Sequence, residues 1–119
     1  MKLTLLSMKN ITLTLIISLF ALFSLAGESI VLDVRTPSEY QESHVKGSTN
    51  VDFKNSSFKS EIEKLDKSKS YKLYCRSGNR SGQTLKIMKE LGFKDVENLG
   101  SLSEAVRKLN GTCEGPKSC

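Results

Sequence analysis

From residue 29 onwards, short apolar runs alternate with segments whose apolar residues recur every three or four positions. The apolar runs predict buried strands at 29–34, 48–53, 71–74 and 94–99, because strands inside a parallel sheet are apolar on both faces. The segments between them have the spacing of helices that cover such a sheet. The pattern therefore predicts a single α/β domain with a mostly parallel central sheet and helices on both faces.

Capping residues mark where several of these helices begin and end. Thr36, Pro37 and Glu39 form a capped helix start in which Glu39 is the capping partner, and this short helix is expected to end between residues 44 and 47. Ser101 and Glu104 repeat the capping pattern before the last helix. The residues expected on the inward faces of the other helices are Phe58, Ile62, Leu65, Leu85, Ile87, Met88, Leu91, Leu102, Ala105, Val106 and Leu109.

The first 26 residues differ from the rest of the chain. They contain Lys2 and Lys9, no acidic residue and an apolar run over 11–25 that is short for a membrane span. This is the pattern of a signal peptide, with cleavage expected after Ala26 and Met8 as an alternative start. We therefore expect a periplasmic or secreted protein with no stable membrane association, composed of a domain at 27–110 and a tail at 111–119. An uncleaved N-terminal anchor is the alternative.

Composition argues against several classes of function. The formal net charge is +5, but basic and acidic residues are interspersed, and no basic stripe with interleaved aromatic residues indicates nucleic-acid binding. The single histidine and three cysteines show no zinc-ligand spacing, so no metal site is expected.

The most distinctive chemistry follows the strand at 71–74. Cys75 ends that strand, and Arg76, Gly78, Arg80 and Gly82 follow at once, just before a helical pattern that begins near residue 81. Backbone N–H groups of such a loop converge into an anion-binding nest, and the helix N-terminus adds positive charge. Both favour thiolate, the reactive form of cysteine. The alternative is a cysteine that only packs, but packing requires neither two glycines nor two arginines.

The order of three motifs is similar to that of the rhodanese-like domain family. The first covers 31–40 and 44–51, the second is the cysteine loop at 75–81, and the third covers 92–100. Within the family, the chain most resembles small periplasmic thiosulfate sulfurtransferases. Ser43, Ser48 and Ser101 depart from the glycine or alanine that the family usually has at these positions, and the replacements are conservative in size.

The resemblance implies sulfur transfer through a persulfide on Cys75. The donor would be thiosulfate or a related small anion, and the acceptor would be cyanide or a thiol. Arg76 and Arg80 would bind the anion, and the loop cradle would be formed by Ser77, Gly78, Asn79 and Ser81. A monomer is expected, and no cofactor is implied.

Other residues of the motifs are expected to support the site. Asp33 ends a buried strand and needs a partner, for which Arg35 and the backbone of the cysteine loop are the candidates. Asp33 and Arg35 are therefore interpreted as supporting residues, with direct tuning of Cys75 by Asp33 as a second possibility. His44 is expected to pack and to form hydrogen bonds rather than to act in catalysis.

Two other functions are alternatives to sulfur transfer from thiosulfate. Phosphatase relatives of the family have arginine six positions after the cysteine, whereas this chain has Ser81 there, so the loop is expected to be too tight for phosphate. A persulfide carrier or binding module loaded by a partner protein would use the same loop with little thiosulfate turnover.

In the tail, Cys113 and Cys119 are expected to pair outside the cytoplasm, which leaves Cys75 free.

Overall fold

The computed structural model describes residues 27–119. The predicted signal peptide at 1–26 lies outside the described residues. None of the helices within 27–119 has the length and apolar character needed to cross a membrane.

The described chain alternates strands and helices, as the hydrophobic pattern predicts. The strands are β1 (Ile30–Asp33), β2 (His44–Val45), β3 (Thr49–Asn50), β4 (Ser70–Cys75), β5 (Asp95–Ser101) and β6 (Cys113–Glu114). The helices are α1 (Pro37–Glu42), α2 (Phe58–Glu63), α3 (Asn79–Glu90) and α4 (Leu102–Leu109).

The central sheet is parallel, with strand order β3-β1-β4-β5. Side chains on one face of the sheet pack with residues of α2 and α3, among them Ile62 and Met88. Those on the other face pack with α4 around Tyr74, Leu99 and Ala105. The predicted mostly parallel sheet with helices on both faces is therefore confirmed, and the carboxyl ends of its strands meet at one edge, where ligands bind in such sheets.

Element boundaries differ from the predictions at a few ends. The helix predicted to start near Ser81 starts two residues earlier, at Asn79, because Gly78 adopts a left-handed conformation and lets the chain turn directly into the helix. The first helix ends at Glu42 rather than between 44 and 47, because Ser43 turns to extended backbone. Both predicted capping boxes are present, at Thr36–Glu39 and at Ser101–Glu104.

The tail forms a strand that the sequence pattern did not indicate. β6 pairs antiparallel with β2, so that His44 lies opposite Glu114, and the Lys117 N–H donates to the Glu42 carbonyl at 3.0 Å. Gly115 is required there, since a Cβ would lie 2.5 Å from the Glu42 carbonyl oxygen and the backbone has a φ of +117°. Cys113 and Cys119 form the expected disulfide.

Candidate active site

Cys75 is the last residue of β4, at the carboxyl edge of the sheet. Its side chain faces α3 within the larger core cluster, and its exposed fraction is 0%. The Gly78 N–H donates to Cys75 Sγ at 3.0 Å, and the Ser81 hydroxyl approaches the same sulfur at 3.3 Å. The thiol therefore lies under its loop, at the N-terminus of α3, with hydrogen-bond donors directed at the sulfur.

The surroundings of the sulfur favour its ionised form. Burial raises the pKa of the Cys75 thiol, but hydrogen bonds from the Ser81 hydroxyl and from the N–H groups of Ser81, Ser77 and Gly78 outweigh burial and hold the pKa below its ordinary value. A depressed pKa together with aligned donors is the environment of a reactive cysteine rather than of one that only packs.

Gly78 sets the shape of the loop. Its φ of +93° is the left-handed region that L side chains rarely adopt, and a Cβ there would lie 3.2 Å from the Gly100 Cα. The loop therefore depends on glycine both for its conformation and for its close approach to β5.

The predicted anion-binding residues do not all have the same environment. Arg76, Ser77 and Asn79 are exposed on the loop and the first turn of α3. Arg80 is 16% exposed in its side chain, and its two terminal nitrogens donate to the two carboxylate oxygens of Glu39 at 2.8 and 3.1 Å. Arg76 is thus the arginine at the loop that no carboxylate engages within the described residues.

The Glu39–Arg80 pair joins α1 to the cysteine loop, a connection that sequence reasoning missed. The sequence pattern predicts only a helix-capping role for Glu39, and Glu39 does cap the Thr36 backbone. The Arg80 side chain lowers the pKa of Glu39 to about 2, with burial opposing and the Thr36 hydrogen bonds assisting. The available sequence signal for this ion pair was that Glu39 and Arg80 are charged motif residues of opposite sign, both expected at the carboxyl edge of the sheet.

Asn98 is the second residue that sequence reasoning missed. It receives the Ser81 hydroxyl on Oδ1 at 2.7 Å, and its Nδ2 donates to the Gly78 carbonyl at 3.2 Å. The sequence contains one signal for this role. Asn98 is polar and follows the inward-facing Val96 by two positions, and alternate residues of a strand lie on the same face, so its side chain also faces inward.

Asp33 and Arg35 form a buried pair beneath the site. Arg35 Nε donates to Asp33 Oδ1 at 2.9 Å, and Nη2 donates to Oδ2 at 2.7 Å and to the Ser43 carbonyl at 2.6 Å. Of the two candidate partners for Asp33, the structure therefore selects Arg35. No hydrogen bond joins Asp33 to the loop at 76–81 within the described chain, which gives no support to direct tuning of Cys75.

His44 packs as expected. Its ring stacks on Tyr40 with the ring centroids 3.7 Å apart, Nδ1 contacts the Tyr40 carbonyl at 2.7 Å, and Nε2 contacts Glu114 at 3.2 Å. Residues 27–119 contain no group of three or more His, Cys, Asp or Glu side chains arranged to hold a metal ion.

Comparisons with known proteins agree with this architecture. The thiosulfate sulfurtransferase PspE of Escherichia coli K12 is 38% identical over 81 residues, which cover 67% of this chain and 78% of PspE. A solved rhodanese from E. coli, described with anions, is 36% identical with a TM-score of 0.57 and covers 65% of this chain and 91% of its own. A rhodanese-related protein of Thermoplasma volcanium is 28% identical with a TM-score of 0.58, covering 67% and 78%.

The family profile that matches is that of the rhodanese-like domain, over residues 23–107. This range contains the cysteine loop, the Asp33–Arg35 pair and Asn98. The chain belongs to the rhodanese-like domain family.

Proposed function

We propose that this protein is a thiosulfate sulfurtransferase that carries sulfur as a persulfide on Cys75. The observation that carries the proposal is the thiol at the N-terminus of α3, with the Gly78 N–H and the Ser81 hydroxyl directed at its sulfur and its pKa depressed. The similarity to E. coli PspE supports the choice of thiosulfate as the donor.

In the first step, the Cys75 thiolate attacks the outer sulfur of thiosulfate. The sulfur–sulfur bond of thiosulfate breaks, sulfite leaves with the electron pair, and the cysteine becomes a persulfide anion. The loop N–H groups that stabilise the thiolate also suit the negative terminal sulfur of the persulfide.

Substrate binding is assigned to Arg76, Arg80 and the loop cradle of Ser77, Gly78, Asn79 and Ser81. Exposed Arg76 is suited to meet the dianion first. A guanidinium has five N–H donors, and the Glu39 pair uses one on each terminal nitrogen of Arg80, so further donors remain for an anion. Asp33 and Arg35 are assigned to the support of the site, and Arg35 Nη2 also donates to the Ser43 carbonyl at the end of α1.

In the second step, an acceptor takes the terminal sulfur and restores the Cys75 thiolate. With cyanide the product is thiocyanate, and the mechanism is ping-pong because sulfite leaves before cyanide reacts. The test is thiocyanate formation over a range of both substrates. We expect parallel double-reciprocal plots for wild type, no turnover for Cys75→Ser, and retained turnover for the tail variant Cys113→Ser with Cys119→Ser.

Failure of wild type to turn over thiosulfate would contradict this assignment. If the same protein accepted sulfur from a persulfidated donor protein, it would instead be a carrier loaded by a partner.

We also propose that the protein acts in the periplasm or after secretion. The signal-peptide pattern of residues 1–26 supports export, and so does the Cys113–Cys119 disulfide, since disulfides persist in oxidising compartments. Fractionation of cells with antibody to the protein tests this, and recovery of the uncleaved chain in the cytoplasm would contradict it.

A further inference from the structure

Asn98 makes three polar contacts, two of which link the cysteine loop to β5. Its Oδ1 accepts from the Ser81 hydroxyl at 2.7 Å and from the Gly100 N–H at 2.9 Å. Its Nδ2 donates to the Gly78 carbonyl at 3.2 Å. The amide orientation is fixed at both ends, because a backbone N–H only donates and a carbonyl only accepts.

The backbone around Asn98 is shaped to present this amide. Leu73 of β4 pairs with Asn98, but the next residue, Tyr74, pairs with Gly100, so Leu99 is the extra residue of a β-bulge. Bulges re-aim side chains next to functional sites. At this bulge the Gly100 N–H donates to Asn98 Oδ1, beside the point where Gly78 approaches Gly100.

Both loop residues held by Asn98 also contact the reactive sulfur. The Gly78 N–H lies 3.0 Å from Cys75 Sγ, and the Ser81 hydroxyl lies 3.3 Å from it. Asn98 Nδ2 donates to the Gly78 carbonyl. Asn98 Oδ1 and Cys75 Sγ both accept from the Ser81 hydroxyl, which has a single proton to share between them. Ser81 is fully buried.

We propose that Asn98 is a positioning residue for Cys75: it holds the Gly78 N–H against the sulfur and fixes the direction of the Ser81 hydroxyl, and thereby sets the acidity of the thiol. Asn98 does not touch the sulfur itself and is not a catalytic residue. The inference rests on the proposed function only for its consequence in sulfur transfer, since the acidity of the thiol is measurable without any sulfur donor.

The test is a pH titration of the Cys75 thiolate by ultraviolet absorbance, with Cys75→Ser as the blank. Asn98→Ala removes both ties, and Asn98→Asp keeps the acceptor but sets a carboxylate oxygen against the Gly78 carbonyl and adds negative charge near the thiolate. We expect both variants to shift the thiol pKa, and the added negative charge of Asn98→Asp to raise it by about one unit.

Two control variants separate a positioning effect of Asn98 from a loss of stability and from the addition of a negative charge. Thr84→Ala removes a buried hydroxyl that donates to the Arg80 carbonyl inside α3, and so lowers stability without touching the sulfur contacts. Asn110→Asp adds the same charge at the end of α4, where φ is 48°, a conformation that Asp also adopts. Both controls should titrate like wild type.

The proposal is overturned if folded Asn98→Ala and Asn98→Asp titrate like wild type, or if the controls shift as much as they do. Circular dichroism establishes that each variant is folded. Should Asn98→Asp fail to fold, Asn98→Ala with Thr84→Ala decides the question alone. If wild type forms no persulfide, the proposed function fails while this titration still gives its answer.

Discussion

Glu39 and Arg80 lie 41 positions apart in the chain and form a two-point ion pair, with N···O distances of 2.8 and 3.1 Å. The pair ties the N-terminus of α1 to the first turn of α3. It also means that the positive charge of Arg80 is partly neutralised, as the charge of Arg35 is by Asp33. The exposed Arg76 is therefore the main source of uncompensated charge at the loop.

The first prediction concerns the pH dependence of this pair. Glu39 has an ordinary pKa near 4.5 and a folded-state pKa of about 2. Since the folded pKa is depressed, the ion pair stabilises the fold fully above 4.5, and this contribution is lost as the pH falls towards 2. Urea unfolding should therefore show Glu39→Gln less stable than wild type at neutral pH, with the difference shrinking in acid.

Glu42→Gln provides the control for that experiment. It removes a carboxylate from the same helix, but Glu42 is exposed and pairs with the exposed Lys117. Its effect on the free energy of unfolding should be small at every pH. A Glu39→Gln difference that stays constant down to the lowest pH would contradict the assigned pair.

The second prediction concerns the Ser81 hydroxyl. Ser81→Ala removes a donor that lowers the pKa of the Cys75 thiol. The pKa should rise, so the rate of alkylation by iodoacetamide should reach its half-maximum at higher pH than in wild type. Ser60→Ala, which removes an exposed hydroxyl from α2, is the control and should leave the profile unchanged. An unshifted Ser81→Ala profile would show that the hydroxyl does not act on the thiolate.

The third prediction concerns Arg76. Loss of a charge-assisted hydrogen bond to thiosulfate should raise KM by about tenfold or more in Arg76→Ala. Arg76→Lys should recover part of this loss, because lysine keeps the charge without the planar fork of donors. Because Arg76 is exposed, the melting temperature should stay close to that of wild type. An unchanged KM would remove Arg76 from the binding site.

The fourth prediction concerns Gly78. Gly78→Ala forces a side chain into left-handed backbone, which costs about 1–2 kcal/mol, and it brings a Cβ to 3.2 Å from the Gly100 Cα. Both the free energy of unfolding and the rate of persulfide formation should fall. Gly47→Ala serves as the comparison, because Gly47 also has positive φ but no atom within 4 Å of its Cβ position. Equal activity in the two variants would contradict the role of close approach to β5.

The fifth prediction concerns the tail disulfide. Replacing Cys113 and Cys119 by serine should lower the free energy of unfolding by about 2 kcal/mol, the effect of closing a small loop. Persulfide formation on Cys75 should remain at the wild-type level. Loss of sulfur transfer in this variant, at a temperature where it is folded, would mean that a tail cysteine takes part in the reaction.

Much of the fold follows from the sequence because the signals are local. The apolar runs locate β1 and β4, and two capping boxes fix the starts of α1 and α4. Strand β6 could not be predicted in this way: it is two residues long, has no apolar pattern of its own, and forms because Gly115 lets the tail approach Glu42.

The candidate site was likewise predictable only where its residues are neighbours in the sequence. Cys75 and its glycines are adjacent in sequence, so their chemistry is visible there. The contacts of Glu39 with Arg80 and of Asn98 with Ser81 join residues from different elements, and they depend on how the carboxyl ends of the strands meet. The capping role also explained the presence of Glu39 by itself, so nothing in the sequence indicated Arg80 as a second partner.

In the proposed reaction, Cys75 carries the transferred sulfur. The most direct test of this role is the intact mass of the purified protein after thiosulfate, measured before and after cyanide, beside Cys75→Ser. We expect that wild type gains the mass of one sulfur atom, that cyanide removes it, and that the variant gains nothing. An unchanged wild-type mass, or an equal gain in Cys75→Ser, would contradict it.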